Sequence, residues 1–231
     1  MSKQIFNFPI PELCQRADKL AISYKRDENE FISYGYNGTT LITIETKTEE
    51  LKQFPSDDYY GGLQKLTTDQ KNESRSHLET NIVDLKTRVK LALGSKSVDY
   101  SLFRFNKLGS LNDNELVQYA LHVVNTAQPM LEKLAERLVT QEMLDAILAD
   151  RKKLDDAIDK QSTAISERRE KKVKRNELAN ELYTLLSELS ELGKTIWKNK
   201  NQAFYTDYVI YGSSKSMEDQ LDEQDETSEA E

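Results

Sequence analysis

The sequence predicts an all-α protein, a helical bundle of about six helices arranged as two similar three-helix halves and followed by a disordered acidic tail. Three observations predict it. The chain of 231 residues holds only 8 Gly and 4 Pro, with 31% of its residues charged. Helices tolerate neither breaker in their interior, whereas a barrel or sandwich needs many turns. Apolar residues recur at spacings of three and four, the stripe of one helical face. From Glu218 to Glu231 there are eight acidic residues, no basic one and few apolar groups to offset the entropy of ordering.

Taken in order, residues 1–10 form an extended arm. Pro11 suits the first turn of a helix, where its missing N–H has no helical partner to lose. Leu13, Ala17, Leu20, Ala21, Tyr24, Phe31 and Ile32 then mark the first helix, which ends at Gly35–Gly38. Asn37 caps a second helix carrying Leu41, Ile44, Leu51 and Phe54, stopped or kinked by Pro55 and weakened again at Gly61-Gly62. A third carries Leu78, Ile82, Leu85, Val89, Ala92 and Leu93 up to Gly94, a suitable carboxyl-terminal cap. The pattern restarts after Gly109, where Asn112 and Glu115 form a variant capping box ahead of Leu116, Ala120, Val123, Val124, Ala127, Leu131 and Leu134. Pro129 should kink that helix. Thr140 caps the next, with Leu144, Ile147, Leu154, Ala157, Ile158 and Ile165, and Leu178, Leu182, Leu186, Leu189, Ile196 and Trp197 complete the set. No Gly or Pro lies between Pro129 and Gly193, so the chain either turns near Ser162-Thr163 or within 168–175, or continues as one very long helix.

The two halves overlay. At an offset of 103, Leu13 falls on Leu116, Ala17 on Ala120, Phe31 on Leu134, Asn37 on Thr140, Leu41 on Leu144, Ile44 on Ile147 and Leu51 on Leu154. At 104, Leu78, Ile82 and Leu85 meet Leu182, Leu186 and Leu189; at 105, Tyr100 meets Tyr205. This reads as an internal duplication. The expected organisation is an arm over 1–10, a first helical half over 11–104, a second over 110–211 and the tail over 212–231.

Charge and cysteine content bound the setting. Without the eight tail residues, 32 acidic residues balance 32 Lys and Arg, so the body is formally neutral and the tail carries the net charge of −8. Such a tail is expected to act as a solubiliser for a body prone to associate, the alternative being a tail that competes for a basic partner surface. No run of about 18 apolar residues exists, two prolines interrupt the amino terminus where a signal peptide places its apolar stretch, and Cys14 is alone. The expected location is cytoplasmic.

The motifs of catalysis do not assemble. Glu73 stands four residues before His77 rather than three, and Tyr119 holds that place before His122, so no di-iron Glu-x-x-His pair forms. Two histidines and one cysteine do not build an ordinary zinc site. Gly193-Lys194-Thr195 resembles the end of a phosphate-binding loop, but Glu188 occupies the place of its first glycine. Gly193 is better read as a point where another helix comes close. No cofactor is expected.

Two surface stretches are candidate contacts. Phe31–Ile44 carries no formal charge, and Phe31, Tyr34, Tyr36 and Leu41 could meet a partner or a membrane, burial under a neighbour being the simpler account. Arg168–Arg175 holds six basic residues and one acidic one, so Arg168, Arg169, Lys171 and Lys172 could grip an anionic partner. No aromatic residue interleaves that run and the body is neutral, which disfavours nucleic acid.

The run Leu192–Trp197 (LGKTIW) and Tyr205–Tyr211 (YTDYVIY), together with Val89–Leu93 and Leu111–Leu116, resembles a family of uncharacterised bacterial helical-bundle proteins. The resemblance spans about residues 11 to 211 and implies a helical fold, with no catalytic or ligand-binding residues to carry over. The expected function is a non-enzymatic structural or protein-interaction bundle that binds a protein partner or itself. The alternatives are a membrane-active helical protein that opens at the 31–44 tip and a bundle that binds a small ligand.

Overall fold

The computed structural model describes residues 3–210; the acidic stretch over 212–231 lies outside the described residues. Among the described residues nine α-helices follow in order: α1 (Ile10–Arg26), α2 (Glu28–Ile32), α3 (Gly38–Gln53), α4 (Asp57–Leu93), α5 (Val98–Leu102), α6 (Asp113–Ala127), α7 (Leu131–Leu134), α8 (Gln141–Trp197) and α9 (Gln202–Asp207). Short 3-10 turns flank α6 and α7, and no strand occurs among the described residues. The chain is all-α as expected. It forms two compact units, one of Met1–Pro55 with Lys171–Glu231, the other of Ser56–Glu170. Each unit draws on both of the stretches 11–104 and 110–211.

In the first unit, α1 starts with Pro11 in its first turn and buries Leu13, Cys14, Ala17, Leu20 and Tyr24. The apolar spacing predicts one helix as far as Ile32, but the chain breaks at Asp27, whose N–H bonds the Ser23 and Tyr24 carbonyls before α2 begins. Asn37 caps α3 as expected, its side chain accepting from the Thr39 N–H. The core is completed by Ala179, Leu182, Leu186, Leu189 and Ile196 of α8 and by Tyr208. Phe6 and Phe8 of the amino-terminal arm are buried against the same core.

In the second unit, α4 is capped by Ser56 and ends at Gly94, whose φ of +78° lies in a region that glycine occupies readily. It runs straight through Gly61 and Gly62, where the sequence suggests a weak point. The expected capping box of α6 is present, with Asn112 and Glu115 each bonding the other's backbone. Pro129 ends α6 rather than kinking it: a 3-10 turn over Gln128–Met130 replaces the helix. The second long stretch resolves as one helix of 57 residues, α8, because nothing in it breaks the hydrogen-bond ladder before Trp197.

Within this unit α4 and the first part of α8 run antiparallel. Asn81 donates to Asp150 at 2.7 Å, Gln161 to Thr68 at 2.9 Å and Arg168 to Asp57 at 2.8 Å. Leu78, Ile82, Leu85 and Val89 of α4 share a core with Leu116, Ala120, Val123, Leu134, Leu144, Ile147 and Leu154, beside Phe103.

Candidate functional site

The most elaborate buried polar cluster surrounds Asp27 at the break between α1 and α2. Its Oδ2 accepts from Tyr208 Oη at 2.8 Å and from Trp197 Nε1 at 3.0 Å, while the Arg26 guanidinium grips both carboxylate oxygens at 2.7 and 2.8 Å. Arg26 also reaches Asp207 at 2.6 Å and lies 3.6 Å over the Phe204 ring. Burial alone would raise the Asp27 pKa, but the hydrogen bonds from Arg26, Tyr208 and Trp197, with the Arg26 charge, outweigh it and hold it below the usual aspartate range. Burial and the adjacent carboxylate push the Tyr208 phenol well above its ordinary value. A carboxylate with every partner supplied from the chain is a fastener, closing the end of α8 onto α1. Gly193 belongs to it: a Cβ there would overlap the Tyr208 ring, so what comes close is a side chain and not another helix. The LGKTIW and YTDYVIY segments thus contribute Gly193, Trp197 and Tyr208 to one buried fastening.

The expected contact residues are dispersed. Phe31 is fully buried, its ring 4.9 Å from Tyr24 and 5.7 Å from Tyr208. Tyr36 and Leu41 are half-buried against the same core, and Tyr34 is exposed. Arg168 is engaged by Asp57 and Gln64 and lies over Gly61. Arg169 and Lys172 are exposed and Lys171 is half-buried. His77 is exposed, and His122 Nε2 donates to the Leu102 carbonyl at 3.0 Å. Among the described residues no group of three or more His, Cys, Asp and Glu could hold a metal, and no helix is long and apolar enough to cross a membrane. The groove lined by Lys47, Asn180, Glu181 and Glu188 is open to solvent and bridged by the Lys47–Glu181 ion pair.

A different surface stands out on the first three turns of α4. Asp57, Gly61, Gln64 and Thr68 face α8, which they meet through Arg168 and Gln161. At 3.6 residues per turn, Tyr59, Gly62, Leu63 and Leu66 lie roughly 180° away, on the side pointing from α8 to solvent. Tyr59 is 56% exposed, Leu63 37% and Leu66 54%. The next positions on that side, Asp69, Gln70, Glu73 and His77, are polar and exposed, which confines the apolar face to 59–66.

Glycine in a helix interior costs about 1 kcal/mol relative to alanine. At Gly61 the Arg168 guanidinium occupies the space beside the backbone, 3.7 Å from where a Cβ would stand. At Gly62 there is nothing within 4 Å. No contact among the described residues accounts for that glycine, and it lies at the centre of the exposed apolar face. The face was legible as the spacing 59, 62, 63, 66, but the glycine pair reads in sequence as a break.

No family model, no curated protein and no solved structure matches the chain.

Proposed function

We propose that this chain is a non-enzymatic helical interaction module that associates with a second copy of itself through the Tyr59, Gly62, Leu63 and Leu66 face of α4. The observation that carries the reading is the uncovered Gly62 amid three exposed apolar side chains. A missing side chain in mid-helix lets another helix approach closely, and flanking apolar groups supply the area that the approach removes from water.

A second copy is the occupant that these residues favour. Two α4 helices crossing antiparallel about a two-fold axis between Gly62 and Leu63 set Leu63 of each copy into the space at Gly62 of the other, and Tyr59 against Leu66. Such an isologous contact is the commonest route to a closed dimer. The axis also brings Lys65 of one copy beside Asp58 of the other. The body is formally neutral, with 32 acidic residues outside the Glu218–Glu231 stretch against 32 Lys and Arg, so the bodies themselves carry no net charge to repel one another.

Sedimentation of the full chain over a range of concentrations tests this reading. The wild type is expected to shift from monomer to dimer, and Leu66→Glu to remain monomeric with an unchanged circular-dichroism spectrum. A wild type that is monomeric at its highest soluble concentration, or a Leu66→Glu variant that dimerises as the wild type does, overturns the proposal.

A further inference from the structure

We infer that the chain is a duplicated helical unit whose two copies have exchanged their second parts, so that each compact unit is completed by the other copy. The first observation is positional. At an offset of 103, Leu13, Ala17, Phe31, Ile44 and Leu51 correspond to Leu116, Ala120, Leu134, Ile147 and Leu154, and every one of the ten is buried. At 104, Leu78, Ile82 and Leu85 correspond to Leu182, Leu186 and Leu189, again all buried, and at 105 the fully buried Phe103 corresponds to the fully buried Tyr208.

The second observation concerns backbone features that periodicity does not produce. Gly35 has φ of +88°, and the residue 103 positions on, Leu138, has φ of +56°. A left-handed leucine is costly, so the turn has kept its geometry where the sequence has lost its glycine. Asn37 caps α3 and its counterpart Thr140 accepts from the Met143 N–H at 3.4 Å at the start of α8. Ser97 caps α5, and 104 positions on Asn201 caps α9.

The third observation is which parts share a core. Leu13 to Leu51, the first part of copy one, pack with Leu182 to Tyr208, the second part of copy two. Leu116 to Leu154, the first part of copy two, pack with Leu78 to Phe103, the second part of copy one. Neither copy buries its own second part on its own first part. A single copy would find that missing part only in another molecule of itself, and the duplication supplies it within one chain.

The test uses the full chain carrying Leu66→Glu, which removes the α4 contact proposed above, with a specific protease site inserted in the exposed turn between Gly109 and Ser110. After cleavage, the fragments are expected to elute together at the size of the uncut chain and to separate only in denaturant. Fragments that part under native conditions, each retaining its helical signal, would overturn the exchange. This outcome is independent of whether the intact wild type dimerises.

Discussion

Asp27 illustrates what a single residue does in this fold. It interrupts an apolar stripe that would otherwise continue into Phe31, and its carboxylate gathers Arg26, Trp197 and Tyr208. At the offsets of 103, 104 and 105 from Asp27, Trp197 and Tyr208 stand Met130, Leu93 and Phe103, none of them charged. Asp27→Ala would leave the buried Tyr208 hydroxyl and the Trp197 N–H without their acceptor, at a cost of about 2–4 kcal/mol read as a lower melting temperature. The folded-state pKa of Asp27 is depressed, so its contribution is complete above the ordinary aspartate value near pH 4 and is lost as the pH falls through the folded value. Asp113 is lowered as well, burial opposing and the hydrogen bonds and charges of Lys71 and Arg75 prevailing, and its stabilisation fades in the same direction. Asp27→Asn is therefore expected to lose less stability than the wild type between about pH 6 and pH 3, with the remaining acid sensitivity including that of Asp113 and of Glu142, whose pKa the Thr140 hydroxyl lowers. An equal loss in both proteins would remove Asp27 from the acid response. The aromatic residues after the last helix, Phe204 and Tyr208 among them, read in sequence as a strap on the bundle's end, but nothing announces their polar anchor Asp27, which lies 170 and 181 positions from Trp197 and Tyr208. Periodicity identifies a buried face but not a polar residue that the fold turns inward.

At the scale of the element, helix starts were the most legible feature. Asn37, Asn112 and Thr140 stand where capping chemistry places them, and the unbroken run after Thr140 is one helix. Breaks were less legible. Gly61-Gly62 does not interrupt α4, since Arg168 covers one glycine and the helix carries the other uncovered. That difference makes Gly62 informative. Gly62→Ala is expected to stabilise the monomer by about 1 kcal/mol through helix propensity. The same change should weaken self-association, because a methyl group stands where the second copy approaches. Thermal melting at low concentration and sedimentation at high concentration separate the two effects. A variant that melts higher and dimerises as tightly as the wild type would show that the glycine serves no contact between copies.

At the scale of the whole molecule, the sequence offers a register in which two stretches match in apolar spacing but does not offer their pairing. Two stripes that match in spacing are equally compatible with two independent bundles and with exchanged parts, since hydrophobic burial is non-directional and does not name its partner. The cores settle which residues share burial: Leu186 lies with Leu13 and Ile44, and Ile82 with Leu116 and Ile147. Hydrogen–deuterium exchange on the full chain reads this arrangement directly, since removing a buried side chain loosens the elements that pack on it. In Leu186→Ala, protection is expected to fall in α1 and α3 while α6 keeps that of the wild type. Loss of protection across Asp113–Ala127, with Ile10–Arg26 unchanged, would contradict the account.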